Sequence, residues 1–321
     1  MTAQVAGAAP ALIEELRRAL ALLVPDSDQA RYGVAVSGGP DSMALLDLMV
    51  ALHPGRTCAA TLDHGLRTES AQEAEMVARW CAERGIPHAV LRPTFTPEGN
   101  VQAWARDQRY ARLGEWRANE GLDWLLTAHH ADDQLETMLM RLNRGSGVGG
   151  LAAIRSRSGH ILRPLLGIRK AALLVYAQAA GLPFAEDPSN SDMRFDRASL
   201  RARLAKVDWL DPMAAARSAA ALAQAEEALD WMAEDIAERH IFRIDTGWAL
   251  DRPDLPAELL RRLVLILFAR SAPAAPPPRG ATLDQVIAKA KRGEQASIGD
   301  WILLGGLPWT LRPAPQRRNV T

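Results

Sequence analysis

The sequence predicts an α/β protein in which a doubly wound parallel sheet is followed by a smaller, mainly helical domain. Short apolar runs alternate with segments of helical periodicity over the first part of the chain, a pattern typical of a parallel sheet covered by helices on both faces. The 321 residues also exceed what one hydrophobic core usually supports, about 250 to 300 residues. We therefore expect two domains, residues 1–212 and 213–321.

The predicted strands and helices of the first domain follow one another along the chain. Strands are predicted for residues 32–36, 58–62, 88–91, 124–127 and 160–162. The helices after them are predicted around residues 43–49 and over residues 73–84, 101–118, 131–142 and 170–180. In the second domain we expect an alanine-rich helix, a stiff proline-rich loop, another helix and a terminal hairpin, over residues 213–239, 271–279, 283–291 and 297–311.

Composition excludes several classes of protein. The two cysteines, Cys58 and Cys81, lack the paired spacing of a zinc site or a disulfide framework. The longest apolar run, residues 263–269, falls far short of the ~20 residues needed to cross a bilayer. The first helical region, residues 11–23, carries charges within its apolar pattern, unlike a secretory signal. We expect a cytoplasmic protein with no membrane partner.

Charge is distributed unevenly although the formal net charge is zero. No acid lies between Glu136 and Glu186, whereas seven basic residues do. Any one of these residues is adequately explained as solvating a helix face. Together they predict a local basic surface and an anionic partner.

A glycine-rich turn joins the first predicted strand to the first predicted helix of the sheet. Its sequence is Ser37-Gly38-Gly39-Pro40-Asp41-Ser42. Small residues let backbone N–H groups converge on a phosphate, and the helix N-terminus adds about half a positive charge. The lysine of the common P-loop and the dinucleotide-binding glycine pattern are both missing. The turn therefore predicts a phosphate site of a different kind; an ordinary capped glycine turn is the alternative.

Asp41 within this turn has a specific task in that interpretation. A carboxylate beside a polyphosphate is repelled unless a hard cation such as Mg²⁺ lies between them. Asp41 is therefore the candidate magnesium ligand, with a helix-capping acid as the alternative.

Two further clusters follow predicted strands, at the carboxyl edge of the sheet where ligands bind. Asp63 and His64 come after the second strand, and a surface histidine is an equally good interpretation of His64. After the fourth strand comes His129-His130-Ala131-Asp132-Asp133-Gln134-Leu135-Glu136-Thr137. Its acids lie three and four residues apart on a helix, where their repulsion of a few tenths of a kcal/mol is roughly offset by the helix dipole. A bound cation such as an ammonium group explains them better.

The phosphate turn resembles the PP-loop of the N-type ATP pyrophosphatases. A larger set of motifs, covering about residues 30–205, is similar in order and spacing to the tRNA(Ile)-lysidine synthetase family. That set comprises the phosphate turn, residues 63–67, 106–110, 129–137, 144–147 and 150–151, 163–165 and 187–190.

This resemblance implies a two-step reaction. ATP adenylates the wobble cytidine of an isoleucine tRNA with anticodon CAU at its base oxygen, and free L-lysine then displaces AMP. ATP and Mg²⁺ are the implied cofactors, and the second domain is expected to contact tRNA.

The residues and the resemblance together assign the following roles. ATP binding falls to Ser37, Gly38, Gly39, Pro40, Asp41 and Ser42, with Asp41 as the Mg²⁺ ligand. Catalytic roles fall to Asp41, Asp63, His64, His129 and Asp133. Lysine binding falls to Arg109, Asp133 and Glu136, because free lysine needs acids for its ammonium groups and an arginine fork for its carboxylate. Phosphates of tRNA are expected at Arg141, Arg144, Arg163, Arg197 and Arg201.

Some features depart from the family or stay open. Ala198 follows Arg197 where the family commonly has asparagine, and the chain resembles the compact form that lacks an additional C-terminal domain. Rival interpretations are a tRNA thiolase of the same fold, which the unpaired cysteines disfavour, a nucleotide sensor and an RNA-binding protein. The base that deprotonates the lysine amine and the choice between a monomer and a homodimer remain open.

Overall fold

The computed structural model describes residues 2–65, 68–93, 101–185, 196–278 and 280–315. The chain divides into two compact units, Met1–Ala223 and Gln224–Thr321. This division falls within one long helix, eleven residues after the expected boundary at residue 212. The two units are described separately.

The first unit contains a sheet of six strands among the described residues, surrounded by helices. The strands are β1 (Tyr32–Ala35), β2 (Thr57–Leu62), β3 (His88–Leu91), β4 (Trp124–Leu126), β5 (Arg157–Ser158) and β6 (Ile161–Leu162). The helices are α1 (Thr2–Leu23), α2 (Pro40–Leu52), α3 (Thr68–Glu83), α4 (Val101–Asn119), α5 (Ala131–Leu142), α6 (Val148–Leu151), α7 (Lys170–Ala179), α8 (Asp196–Leu204) and α9 (Pro212–His240), which continues past residue 223.

The strand order is β3-β2-β1-β4-β6-β5. All neighbouring pairs are parallel except β5 and β6, which form an antiparallel hairpin at the edge. In the central pairs, Tyr32 is in register with both Thr57 and Trp124. The predicted α/β class and parallel sheet are confirmed. The two-residue strand β5 was not predicted, because Arg157 and Ser158 are exposed and carry no apolar pattern.

Side chains of alternate residues pack on opposite faces of the sheet. Val34 of β1 joins the larger core with α1, α2, α3 and α7, whereas Ala35 packs towards the smaller core around Leu113 and Trp116 of α4. Ala59 and Ala60 of β2 divide between the two cores in the same way. Because strand side chains alternate in direction, helices cover both faces, as a doubly wound sheet requires.

The second unit combines helices with an antiparallel sheet. Helices α10 (Ala257–Ser271) and α11 (Gly280–Lys291) follow the C-terminal part of α9. The strands are β7 (Ile241–Ile244), β8 (Gly247–Leu250), β9 (Gln295–Ile298), β10 (Trp301–Leu304) and β11 (Trp309–Pro313), in the order β7-β8-β11-β10-β9. The expected helices and terminal hairpin are present. The sheet has more strands than that hairpin. Strands β7, β8 and β9 were not predicted because four residues are too few to give a clear periodic signal.

Among the described residues, no helix is both long enough and apolar enough to span a bilayer.

Gly33 and Gly114 offer a matched test of the packing. A Cβ added at Gly33 in β1 would lie 2.6 Å from Cζ3 of the buried Trp116, whereas one added at Gly114 in α4 meets nothing within 4 Å. We expect G33A to lower the free energy of unfolding by about 1 to 3 kcal/mol through overpacking. We expect G114A to raise it by about 0.5 to 1 kcal/mol, because alanine is the better helix former. Urea unfolding of both variants checks these signs, and equal effects would contradict this packing.

Candidate active site

The candidate site lies where the strand order reverses. Strand β1 is flanked by β2 and β4, so the loops after β1 and β4 meet at the carboxyl edge of the sheet. Ligands in open α/β sheets bind at this switch point. The loop after β1 carries the phosphate turn, residues 37–42, and the loop after β4 leads into the acids of α5.

The phosphate turn is closed by its own serines. The hydroxyl of Ser42 accepts a hydrogen bond from the Ser37 N–H at 3.1 Å and donates one to the Gly39 carbonyl at 3.0 Å. Gly38 has a φ of +83°, a left-handed conformation that favours glycine. Pro40 begins α2, where a missing N–H costs nothing. The turn therefore presents the N-terminus of α2 in a preformed geometry suited to an anion.

Asp41 lies in the first turn of α2 with its two oxygens in different surroundings. Oδ2 is 3.6 Å from Nε2 of His130, while Oδ1 is buried and has no hydrogen-bond partner among the described residues. A buried unpaired carboxylate oxygen is costly, and a hard cation would satisfy it. Mg²⁺ in nucleotide sites commonly uses only one or two carboxylates plus phosphates. Asp41 is therefore suited to be a magnesium ligand. The described residues contain no cluster of three metal-binding side chains.

Asp63 is buried at the end of β2 and organises the loop that follows. Its Oδ1 accepts hydrogen bonds from the Ser70 hydroxyl at 2.6 Å and the Gly65 N–H at 3.0 Å. The Ser70 hydrogen bond, opposed by burial and assisted by Gly65, lowers the pKa of Asp63. The carboxylate is therefore ionised and ties this loop to α3. His64 follows it and is half-buried, while residues 66 and 67 of the same motif lie outside the described residues.

His130 connects the phosphate turn to the acids of α5. It caps α5, with Nδ1 accepting the Asp133 N–H at 3.3 Å while Asp133 Oδ2 accepts the His130 N–H at 3.1 Å. An accepting Nδ1 places the proton of the neutral ring on Nε2, which faces Asp41. Burial alone would lower the pKa of His130, but Asp41, Asp133 and Asp132 outweigh it and raise that pKa. His130 was not among the predicted site residues; the one sequence signal for it is its position just before the helix.

Asp133 and Glu136 form a buried cluster with two arginines of α8. Asp133 is 8% exposed and Glu136 is 4% exposed. Glu136 pairs with Nε of Arg197 at 2.8 Å and with Nε of Arg201 at 2.5 Å. The Nη2 atoms of the same arginines lie 3.5 and 3.3 Å from Oδ1 of Asp133. Two carboxylates and two guanidinium groups thus compensate one another, as buried charges must.

Three of the arginines predicted to bind substrates do not lie where the sequence placed them. Arg197 and Arg201, which the sequence analysis assigned to tRNA, contact Asp133 and Glu136 instead of standing free at the surface. Arg109 is exposed on α4, and no hydrogen bond or ion pair joins it to either acid within the described residues.

The remaining predicted tRNA contacts also differ from one another. Arg141 and Arg144 are exposed. Arg163 is 7% exposed and donates from Nη1 to the Arg155 carbonyl at 2.8 Å. Its guanidinium would have to move to reach a tRNA phosphate. Residues 187–190 of the family motif set lie outside the described residues.

The other polar residues of α5 anchor the helix. Asp132 Oδ2 accepts the backbone N–H of Lys170 at 2.8 Å, at the start of α7. Nε2 of Gln134 donates to the Ile154 carbonyl, and Oε1 accepts the Ile154 N–H, each at 2.8 Å. Asp132 is therefore a structural acid, whereas Asp133 and Glu136 face α8. Spacing along the helix could not separate these roles, because all three acids lie within residues 132–136.

His129 is neutral in this setting. Its Nδ1 lies 2.9 Å from the Thr127 hydroxyl. Burial lowers its pKa to about 4; Asp133 opposes this shift, while Arg163, Arg197 and Arg106 reinforce it.

The low pKa of His129 predicts a dependence of stability on pH. The folded-state pKa of about 4 lies below the unfolded value near ~6.5, so the unfolded chain binds the proton more readily. This contribution to stability is full above about pH 6.5 and is lost as pH falls towards 4. Between pH 7 and pH 5 we expect the wild type to lose roughly 1 to 2 kcal/mol relative to H129Q, measured by urea unfolding. Parallel losses in both proteins would contradict a depressed pKa.

Comparison with known proteins places the chain among nucleotide-dependent enzymes. The PP-loop domain family matches residues 12–208. In a fold comparison, the U34-tRNA thiolase NcsA from Methanococcus maripaludis has a TM-score of 0.54 at 17% identity, covering 65% of this chain and 76% of that one. At this identity the likeness shows a shared fold alone.

Curated relatives are similar over most of the chain. The tRNA(Ile)-lysidine synthase of Zymomonas mobilis is 38% identical, covering 96% of this chain and 97% of its own. That of Novosphingobium aromaticivorans is 40% identical, covering 90% of each. With the phosphate turn beside β1 and the acids of α5 beside β4, this chain belongs to the tRNA(Ile)-lysidine synthase family of PP-loop proteins.

Proposed function

We propose that this chain joins free lysine to the wobble cytidine of the CAU-anticodon isoleucine tRNA. In the first step the cytosine oxygen attacks the α-phosphorus of ATP and pyrophosphate leaves. In the second step the side-chain amine of lysine attacks the activated ring carbon, loses a proton, and AMP leaves. The product is lysidine.

One observation carries this proposal beyond family membership. A buried pair of carboxylates, Asp133 and Glu136, lies beside the phosphate turn, with His130 contacting both Asp133 and Asp41. This arrangement supports an adenylating centre next to a site for a cationic amine. A nucleotide sensor would need the phosphate turn and not the acid pair.

The residues of the phosphate turn bind and orient ATP in this proposal. The backbone of residues 37–42 and the N-terminus of α2 hold phosphate oxygens, and Asp41 holds Mg²⁺. When bound, Mg²⁺ neutralises charge on the leaving pyrophosphate. His130 positions Asp41 from the side of α5.

Lysine enters a cluster that already holds two cations. Asp133 and Glu136 are paired with Arg197 and Arg201, so an ammonium group reaches these acids only by displacing a guanidinium. The displaced arginine then becomes available to a carboxylate or a phosphate. This gives Arg197 and Arg201 a role in lysine entry besides their proposed contacts with tRNA, and leaves Arg109 as a proposed partner of the lysine carboxylate.

Deprotonation of the lysine amine limits the choice of base. An ammonium group has a pKa near ~10.4 in water, whereas the pKa of His129 is about 4. Proton transfer across that gap costs roughly 9 kcal/mol at 1.36 kcal/mol per unit. His129 is therefore a poor base, and we propose that desolvation of the amine, when it leaves the acids for the activated base, lowers its pKa instead.

The RNA-facing parts of the proposal rest on charge. Arg141 and Arg144 are exposed on the acid-free stretch after Glu136, where phosphates would bind and salt would weaken the complex. We further propose that residues 213–321 contact tRNA and that the protein acts in the cytoplasm, as a monomer or a homodimer.

Substitution of the acid pair tests lysine binding separately from adenylation. We expect D133N and E136Q to lower the incorporation of radiolabelled lysine into the tRNA transcript by about 30-fold or more, because breaking a buried charge pair costs about 2 to 5 kcal/mol. Release of pyrophosphate from ATP with tRNA alone should persist. E75Q, on the exposed surface of α3, is the matched control.

Two outcomes would contradict this assignment. Unchanged incorporation by D133N and E136Q would place lysine elsewhere. Pyrophosphate release by the wild type without incorporation of lysine would indicate another nucleophile.

Removal of one competing guanidinium tests how lysine enters. We expect R201M to bind lysine roughly tenfold more tightly than the wild type, since a hydrogen bond to a charged group is worth about 1.5 to 3 kcal/mol. Lysine-dependent thermal shifts measure this change, with R203M, an exposed arginine of the same helix, as control. Loss of the lysine-induced shift in R201M would show that Arg201 holds the lysine carboxylate and does not compete with its ammonium group.

A further inference from the structure

Trp209 is unusually exposed for a tryptophan. It lies in the loop of residues 205–211 between α8 and α9, and 78% of its surface is accessible. Tryptophan is highly buried on average, and burying an aromatic side chain of this size is strongly favourable. An exposed ring therefore needs an explanation.

The loop presents this ring on a fixed backbone. The N–H groups of Lys206 and Val207 bond to the carbonyls of Arg203 and Leu204 at 3.1 and 2.9 Å. Beyond Trp209, the carboxylate of Asp211 accepts the N–H groups of Met213 and Ala214 at 2.9 and 3.1 Å and so caps α9. Because both sides of the loop are held, a ligand that meets the ring pays little ordering entropy.

The same loop borders the candidate active site within the first unit. Arg169 bridges two carboxylates, with Nη1 4.0 Å from Oδ1 of Asp211 and Nη2 3.5 Å from Oδ1 of Asp132. Asp132 lies in the first turn of α5, next to Asp133. Trp209 therefore lies two residues from an ion-pair chain whose last carboxylate, Asp132, precedes Asp133 in the sequence.

The charged groups around Trp209 are positive on balance. Arg203 and Lys206 precede it by six and three residues and are exposed, as is Asp208 beside it. Asp211 is paired with Arg169 and Arg217, so four bases face two acids and a polyanion is favoured. Trp231, which is 70% exposed, provides a contrast on α9: residues 226–238 around it contain six acids and no base. Stacking of a nucleobase on an aromatic ring flanked by cations is how proteins hold unpaired nucleotides.

We propose that Trp209 is a stacking platform for one unpaired base of the RNA substrate, beside the site where the target cytidine reacts. This inference rests on the proposed function, because it takes RNA as the substrate. Arg203 and Lys206 hold the RNA backbone, and the ring holds the base. Trp209 positions RNA and takes no part in bond making.

The test compares RNA binding by variants of the full chain. Fluorescence anisotropy with a labelled CAU-anticodon isoleucine tRNA transcript should show W209A weakened about 5- to 150-fold, with W209F close to the wild type. The dependence of log affinity on log salt should keep its slope in W209A, since stacking releases no counterions, whereas R203A should lower that slope by about one. L22A, which truncates an 89% exposed side chain of α1, should bind as the wild type does.

A base-specific readout separates stacking from a general loss of surface. A 2-aminopurine placed in turn at each unpaired position of the anticodon loop should be quenched at one position by the wild type and W209F, and not by W209A. Thermal unfolding of W209A should be unchanged because the side chain is exposed.

Several outcomes would overturn the inference. These are wild-type affinity in W209A, a reduced salt slope in W209A, an equal loss in L22A, and a change of oligomeric state in W209A by light scattering, which would make the ring a contact between copies of the chain. If the wild type incorporates lysine and W209A binds RNA normally, only this inference fails. If the wild type binds no tRNA, the proposed function fails with it.

Discussion

Pairing of β4 beside β1 is the constraint on which the rest of the site depends. Tyr32 lies in register with Trp124, so the loops that leave the two strands start side by side. One loop turns through a left-handed glycine into α2, and the other passes through His129 and His130 into α5. Two helix N-termini are thereby directed at one region of the sheet edge, where anionic groups are favoured.

Charge compensation then decides what the site holds. Asp133 and Glu136 are too buried to remain ionised without partners, and α8 supplies Arg197 and Arg201. Asp41 faces His130 with one oxygen, and its other oxygen has no hydrogen-bond partner among the described residues. The cluster is therefore balanced at the α5 end, whereas Asp41 leaves an unpartnered carboxylate oxygen at the phosphate turn, which a divalent cation would neutralise.

Polar side chains with purely structural contacts keep these groups in place. Gln134 fixes the chain at Ile154, Asp132 holds the start of α7, and Asp63 holds the loop before α3. Each anchor sits next to a proposed functional residue in the chain. Rigid support of this kind is what a site needs if it is to position two substrates for successive steps.

The parallel strands β1 to β4 and β6, the helices α2 to α5 between them, the phosphate turn and the family could be predicted from the sequence, because local periodicity, glycine placement and motif spacing are properties of neighbouring residues. Strands β5, β7, β8 and β9 gave no such signal. Helix α5 and strand β3 begin and end where they were predicted. Only the tertiary structure decided which acid faces which cation. Arg201 is 65 residues from Glu136 in the chain, and Asp132 reaches a helix 38 residues away. Contacts over such separations depend on how helices pack, which the spacing of residues along one helix does not encode.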